Sequence, residues 1–179
     1  MPQPFDKQWL TVDQQRAWRL LLVVMSQLPS DLNRQLQADA GLSFQDFDVL
    51  VHLRESKGNR LRIGELAEAL GWERSRTSHH VARMGARGLV CRERVDGDGR
   101  GAWVIATYRG LTEQEAAAAA HVELVRRLLF TDMPEEQVHE LGDTLAVITR
   151  NLGFTPREMW HVESNDENDE AQEDESGKQ

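Results

Sequence analysis

The sequence predicts a mainly α-helical protein with one small β-hairpin, on three observations. Between Leu61 and Thr107 a short helix, a glycine turn and a second helix lead directly into a hairpin rich in Gly and Asp. On either side of that stretch, apolar residues recur at helical steps of three and four. The last of these runs keeps strict heptad spacing, the pattern of a helix that packs along a partner helix. With 179 residues, 40% of them hydrophobic, the chain can bury a core as one domain with an extension.

The elements follow in order. Thr11 with Gln14 has the capping-box spacing, and behind it Trp18, Leu21, Met25, Leu28 and Leu32 form one apolar stripe on a long first helix. Pro29 lies within it and predicts a kink rather than two helices, because it removes one backbone donor. Ser43 with Asp46 opens a second helix, which Phe44, Phe47, Val49, Leu50 and Leu53 make apolar around most of its surface, so it is expected to be buried. Gly58 ends that region, and Leu61 to Ile63 is long enough for a very short strand. Glu65 to Leu70 is a short helix with Leu66, Ala67 and Leu70 inward, and Gly71 turns the chain into a helix from about Glu73 to Arg87. On that helix Thr77, Val81 and Met84 share one face, and Arg76, His80, Arg83 and Arg87 share another. Gly88 is placed as its C-terminal stop, and strands over Leu89 to Val95 and Ala102 to Thr107 flank a 96–101 tip. Thr112 with Glu115 predicts the start of the next helix, whose seam runs from Ala116 to Ala120 through Val122, Val125 and Leu129. Pro134 introduces a last helix with Val138, Leu141, Leu145, Ile148 and Leu152 in heptad register.

Charge is segregated along the chain. The net charge of −9 is concentrated in residues 161–179, where eight carboxylates face Lys178 alone, giving −7. That segment has few apolar residues and no aromatic one, so it is expected to be a disordered tail, either solubilising or a DNA-mimicking brake on the basic face. Arg74 to Arg100 instead carries seven arginines against three acids, or +4. A single cysteine, Cys91, excludes an intramolecular disulfide and fits a reducing compartment, so a cytoplasmic protein without a membrane segment is expected. The six histidines show no metal-ligand spacing with carboxylates, and no Gly-rich phosphate loop is present. Neither a cofactor nor catalysis is expected.

A helix with a basic face followed by an arginine-tipped hairpin suits the neighbouring grooves of a DNA duplex. Residues at the start of a groove-inserted helix reach base edges, which nominates Ser75, Arg76, His79 and His80. Arginine bonds guanine O6 and N7 together, so Arg76 is the main base reader, at about 1–3 kcal/mol of discrimination per bidentate contact. Arg74, Thr77, Ser78, Arg83 and Arg87 are nominated for phosphates, which fix register. Arg100 is assigned to the minor groove, braced by Asp98 two residues earlier.

The order of elements and three motifs resemble the MarR family of bacterial winged helix-turn-helix regulators. The motifs are Glu65 to Gly71 (ELAEALG), Gly88 to Arg94 (GLVCRER) and Asp98 to Thr107 (DGRGAWVIAT), with Gly110 following. The last is similar to the family's wing signature. His79 and His80 depart from the arginine or apolar residue frequent there, so no operator sequence carries over. The resemblance implies a homodimer joined through a helical lobe, residues 1–40 and 111–160, with a DNA-binding lobe at 41–110. It implies a near-palindromic operator. It also implies release by a small aromatic effector in the crevice between the lobes, for which Trp18, Phe47, His52 and Trp103 are the candidate lining. Two other readings stand beside it: a winged-helix module that binds protein, and thiol-redox sensing through Cys91.

Overall fold

The computed structural model describes residues 9–94 and 102–153. Two compact units are distinguished, Met1–Glu140 and Leu141–Gln179. The acidic tail and the 96–101 tip, with Asp98 and Arg100, lie outside the described residues.

Helix α1 (Val12–Ala40) starts at the expected capping box: the Thr11 hydroxyl accepts from Gln14 N, and the Gln14 side chain accepts from Thr11 N. Pro29 sits inside this helix, which continues through it. Gly41, at φ 62°, ends it, and Leu42 returns its N–H to the Leu36 carbonyl. Only the C-terminal part of the predicted stripe is buried. Leu32 and Leu36 enter the core, whereas Trp18 and Met25 are exposed.

Helix α2 (Phe44–Glu55) is the buried centre, opened by the Ser43 and Asp46 box. Leu50 and Leu53 on α2 are fully buried together with Leu36, Leu42, Leu66, Met84 and Leu89, and Phe47 is nearly so. Strand β1 (Arg60–Arg62) precedes α3 (Ile63–Ala69) and α4 (Arg74–Ala86). Then come β2 (Val90–Arg94), β3 (Ala102–Ala106) and α5 (Tyr108–Val125), which a π-helical turn extends over Arg126–Phe130. Helix α6 (Glu135–Asn151) crosses the boundary between the units. Its heptad residues Val138, Leu145, Ile148 and Leu152 are exposed.

The sheet has order β1-β3-β2, with both pairs antiparallel. The third strand comes from the short run before α3: Leu61 lies opposite Val104, which closes one side of the hairpin. Val104, Ala106 and Val90 turn inward onto α2 and α4. Leu36 of α1 and Ala117 of α5 belong to this same core, so residues from both expected lobes share it.

Helix α5 begins five residues earlier than its sequence suggests. Thr107, not Thr112, is the N-cap; its hydroxyl accepts from Gly110 N at 3.0 Å. The same oxygen lies 2.7 Å from the Gly88 carbonyl and 3.0 Å from that of Leu89, so it also ties the strand ends to the helix. Thr112 lies within the helix, its hydroxyl donating to the Tyr108 carbonyl. The buried side of α5 is Gly110, Gln114, Ala117 and Leu124, and Val122 of the expected seam is exposed. Buried Gln114 is satisfied by Arg54, which donates to its Oε1 at 2.6 Å.

Candidate nucleic-acid interface

The turn between α3 and α4 is set by backbone bonding. Gly71, at φ 63°, donates to Glu68 O, and Trp72 donates to Ala67 O at 2.9 Å, the paired closure of a helix that ends in a left-handed residue. The far end of α4 closes in the same way. Gly88, at φ 73°, donates to Gly85 O, and Leu89 donates to Met84 O. The C-terminal ends of α3 and α4 are therefore both closed by the backbone itself.

Its inner face is Thr77, Val81 and Met84, all fully buried, joined by His80 at the margin. Its outer face leaves Arg74, Ser75, Arg76, His79 and Arg83 exposed. Thr77 and His80, expected at phosphate and base, lie on the inner side. Thr77 is buried, with its hydroxyl donating to the Glu73 carbonyl rather than standing in solvent. His80 is buried, in contact with Arg83 and Asp46, on the core side of the helix.

Asp46 organises the polar base of α4. Its Oδ2 accepts from Arg87 Nη1 at 2.6 Å and from Ser43 N at 2.9 Å, while Oδ1 lies 3.0 Å from His80 Nε2. Burial alone would raise its pKa; the contact with His80, the Ser43 backbone N–H and Arg87 outweigh that and hold the carboxyl well below the usual carboxylate range. Arg83 Nη2 lies 2.9 Å from His80 Nδ1. Because a guanidinium can only donate, Nδ1 is the acceptor in that contact. The second arm of Arg87 donates to the Gly41 carbonyl at 2.7 Å, so one arginine joins the ends of α1 and α4 to the start of α2. Arg87, expected at a phosphate, is thus already engaged.

Two further contacts shape the outer face. The Arg76 guanidinium lies over the Trp72 ring, 4.5 Å from its centroid, and the His80 ring meets Trp72 edge-on at 5.3 Å and 84°. Arg92 of β2 donates to the Ser78 carbonyl at 2.5 Å and its hydroxyl at 3.2 Å, securing the hairpin to α4 and engaging Ser78. Between α4 and the α1–α2 junction lies a cleft of about 460 Å³ whose walls include Gln37, Asp46, Trp72, Arg76, Arg83 and Arg87. The sequence reading missed Asp46 and Trp72 as functional supports. The capping-box aspartate and the tryptophan four residues before Arg76 were their only signals.

The candidate effector residues have separate surroundings. Trp103 lies under Arg60 at 4.8 Å and Arg62 at 5.2 Å, Phe47 packs on His121 at 4.6 Å, and His52 Nε2 is 3.6 Å from Asp48 Oδ1. Trp18 is about half exposed. Cys91 is an exposed free thiol opposite Ile105. Among the described residues no group of three or more His, Cys, Asp and Glu is arranged to hold a metal ion, and no helix is long and apolar enough to cross a membrane.

No curated protein matches the chain. The profile described as MarR family matches residues 40–101. AbsC, a MarR family transcriptional regulator from Streptomyces coelicolor, is 37% identical over 83% of this chain and 100% of its own, with a TM-score of 0.78. The chain belongs to the MarR family. Sco3205, a MarR family transcriptional regulator of the same organism solved in complex with DNA, is 38% identical over 80% of this chain and 94% of its own, with a TM-score of 0.77. CouR from Rhodococcus jostii RHA1, solved with p-coumaroyl-CoA, is 26% identical over 72% and 88%, with a TM-score of 0.62. MarR family members are transcription regulators and not enzymes, and their winged-helix architecture is the one described above.

Proposed function

We propose that this MarR family protein regulates transcription, with repression as the outcome, by binding a pseudo-palindromic DNA site as a homodimer. Helix α4 enters the major groove and the 96–101 tip enters the minor groove. The observation that carries this reading is the division of α4: one face locked into the core and onto Asp46, the other presenting Arg74, Ser75, Arg76, His79 and Arg83 to solvent. Arg76 and His79, with Ser75, read bases; Arg74 and Arg83 meet phosphates. The DNA-bound state of Sco3205 supports the same use of the fold here.

Exposed apolar surface supports the dimer. In the first unit Leu20, Val23, Val24 and Met25 on α1 stand in solvent, and in the second Leu145, Val147 and Ile148 on α6 do, each a run of exposed apolar side chains of the kind that marks an interaction site. A two-fold partner would cover it and would place the second α4 on the next half-site. Release by a small aromatic effector is supported by the p-coumaroyl-CoA found in CouR. Such a ligand acts only by favouring the spacing of the two α4 helices that does not fit DNA.

Selection of bound duplexes from a random pool tests the reading. The expected product is a two-fold symmetric site bound by a dimer, with affinity falling steeply as salt rises, by roughly 0.9 log units per neutralised phosphate for each log unit of salt. Arg100→Ala weakens binding to all duplexes several-fold, whereas Arg76→Ala relaxes preference at one position of each half-site. A monomer, or no enrichment at low salt, rejects the proposal in favour of a protein-binding winged helix.

A further inference from the structure

The contact between Trp72 and Arg76 has a consequence beyond packing. Trp72 is pinned by its own N–H to the end of α3, and its ring is held edge-on by the buried His80, whose other neighbours are Asp46 and Arg83. On the open face of that fixed ring lies the Arg76 guanidinium, 4.5 Å from the centroid. No carboxylate pairs with Arg76 among the described residues, and its side chain is exposed. An arginine so placed would ordinarily sample many rotamers and lose that freedom on meeting a base. A guanidinium held over an aromatic face is attracted through its charge, so its N–H groups, the ones that form bidentate bonds, are not used up as donors.

We propose that Trp72 is a positioning and specificity-determining residue: it pre-orients Arg76 for base reading without itself touching DNA. The proposal rests on the reading of Arg76 as a base contact. It assigns the residue after the turn glycine a part in sequence preference, transmitted from the Asp46 and His80 anchor through an aromatic ring to the arginine. The ring face, rather than a hydrogen bond, is what Arg76 uses, so phenylalanine can substitute for tryptophan in this role and an aliphatic residue cannot.

The first test needs no DNA. In the free, full-length protein the Arg76 Nε–H resonance should carry an upfield ring-current shift that Trp72→Leu abolishes and Trp72→Phe partly retains; an unshifted resonance in the unsubstituted protein overturns the proposal and leaves the DNA reading intact. The second test compares preference profiles over random duplexes. Trp72→Leu should reduce discrimination by about two- to five-fold at the position that Arg76→Ala relaxes, the scale of an exposed cation–π contact. Affinity for unselected duplex and its salt slope should not change, and Trp72→Phe should restore most of the discrimination. A Trp72→Leu profile equal to the unsubstituted one overturns the proposal, as does loss in Trp72→Phe as large as in Trp72→Leu. An unchanged profile in Arg76→Ala overturns both the proposal and the base-reading role beneath it. Should Trp72→Leu not fold, the ring-current shift of the unsubstituted protein and the Trp72→Phe profile still decide.

Discussion

Asp46→Asn is the perturbation that reaches furthest into the architecture of α4. The amide matches the carboxylate in shape but presents an oxygen on one side and a donating NH2 on the other. Oδ2 now receives two donors, Arg87 Nη1 at 2.6 Å and Ser43 N at 2.9 Å, and Oδ1 lies 3.0 Å from His80 Nε2. Turned with its NH2 towards Arg87 and Ser43, the amide sets donor against donor; turned the other way, it meets them with an uncharged oxygen. Losing the charge-assisted bond to Arg87 costs about 1.5 kcal/mol, the low end for such bonds because the Arg87 side chain is 43% exposed and water screens it. The donor conflict adds about 1 kcal/mol. A total of about 2–3 kcal/mol lowers the melting temperature by roughly 5–10 °C for a chain of this size. The pH dependence has a defined sign. Because the folded carboxyl ionises below its ordinary value of 3.8, the stability it contributes is fully present above that pH and is lost as pH falls through the folded value. Urea unfolding at fixed protein concentration should therefore give a constant gap between the two proteins from pH 8 to 5, narrowing below pH 3.8. A gap under about 1 kcal/mol at pH 7, or one that widens on acidification, would refute the anchoring role.

Gly110→Ala places a Cβ that would overlap the Leu89 carbonyl oxygen and approach Leu50 Cδ2 to 2.9 Å, so the expected loss exceeds about 3 kcal/mol in chemical denaturation; a near-neutral result would mean that α5 docks less closely. Thr107→Val removes the α5 cap and its bond to the strand ends, with an expected cost of about 1–2 kcal/mol by the same measurement and no change in the DNA preference profile. His121 packs on Phe44 and Phe47, and burial lowers its pKa below 6.5. Stability should then fall as pH drops below 6.5 towards that lowered value, and His121→Phe should flatten urea midpoints measured between pH 7.5 and 5.

Helix starts and stops were legible where the chemistry is local. Thr11 with Gln14, Ser43 with Asp46, Gly71 and Gly88 each act within a few residues of backbone, and each functions as its spacing predicts. Thr107 was hidden because its cap follows a strand without a loop, while Thr112 and Glu115 offered the same motif one turn later. The inward face of α5 was obscured for another reason: Gln114 and His121 interrupt its apolar pattern, and only the fold supplies Arg54 to the one and Phe47 to the other. Asp46 read as a cap and nothing more. Its partner Arg87 is 41 residues away, a separation at which no periodicity operates.

A run of arginines along one helix invites the view that all of them serve the same ligand, and the contacts of α4 argue otherwise. Arg87 closes the junction of α1, α2 and α4, and Arg83 contacts a buried histidine while remaining exposed. Arg76 is held by an aromatic face, and Arg92 on the neighbouring strand holds the hairpin to the helix at Ser78. Loss of DNA binding on substitution therefore has two physical origins that a binding assay alone would merge. At Arg87 it should come with lost stability, because Asp46 would keep its buried charge without its closest partner; at Arg74 or Arg76 it should come with none. Measuring unfolding and binding on the same variants separates the residues that aim the helix from those that touch the duplex.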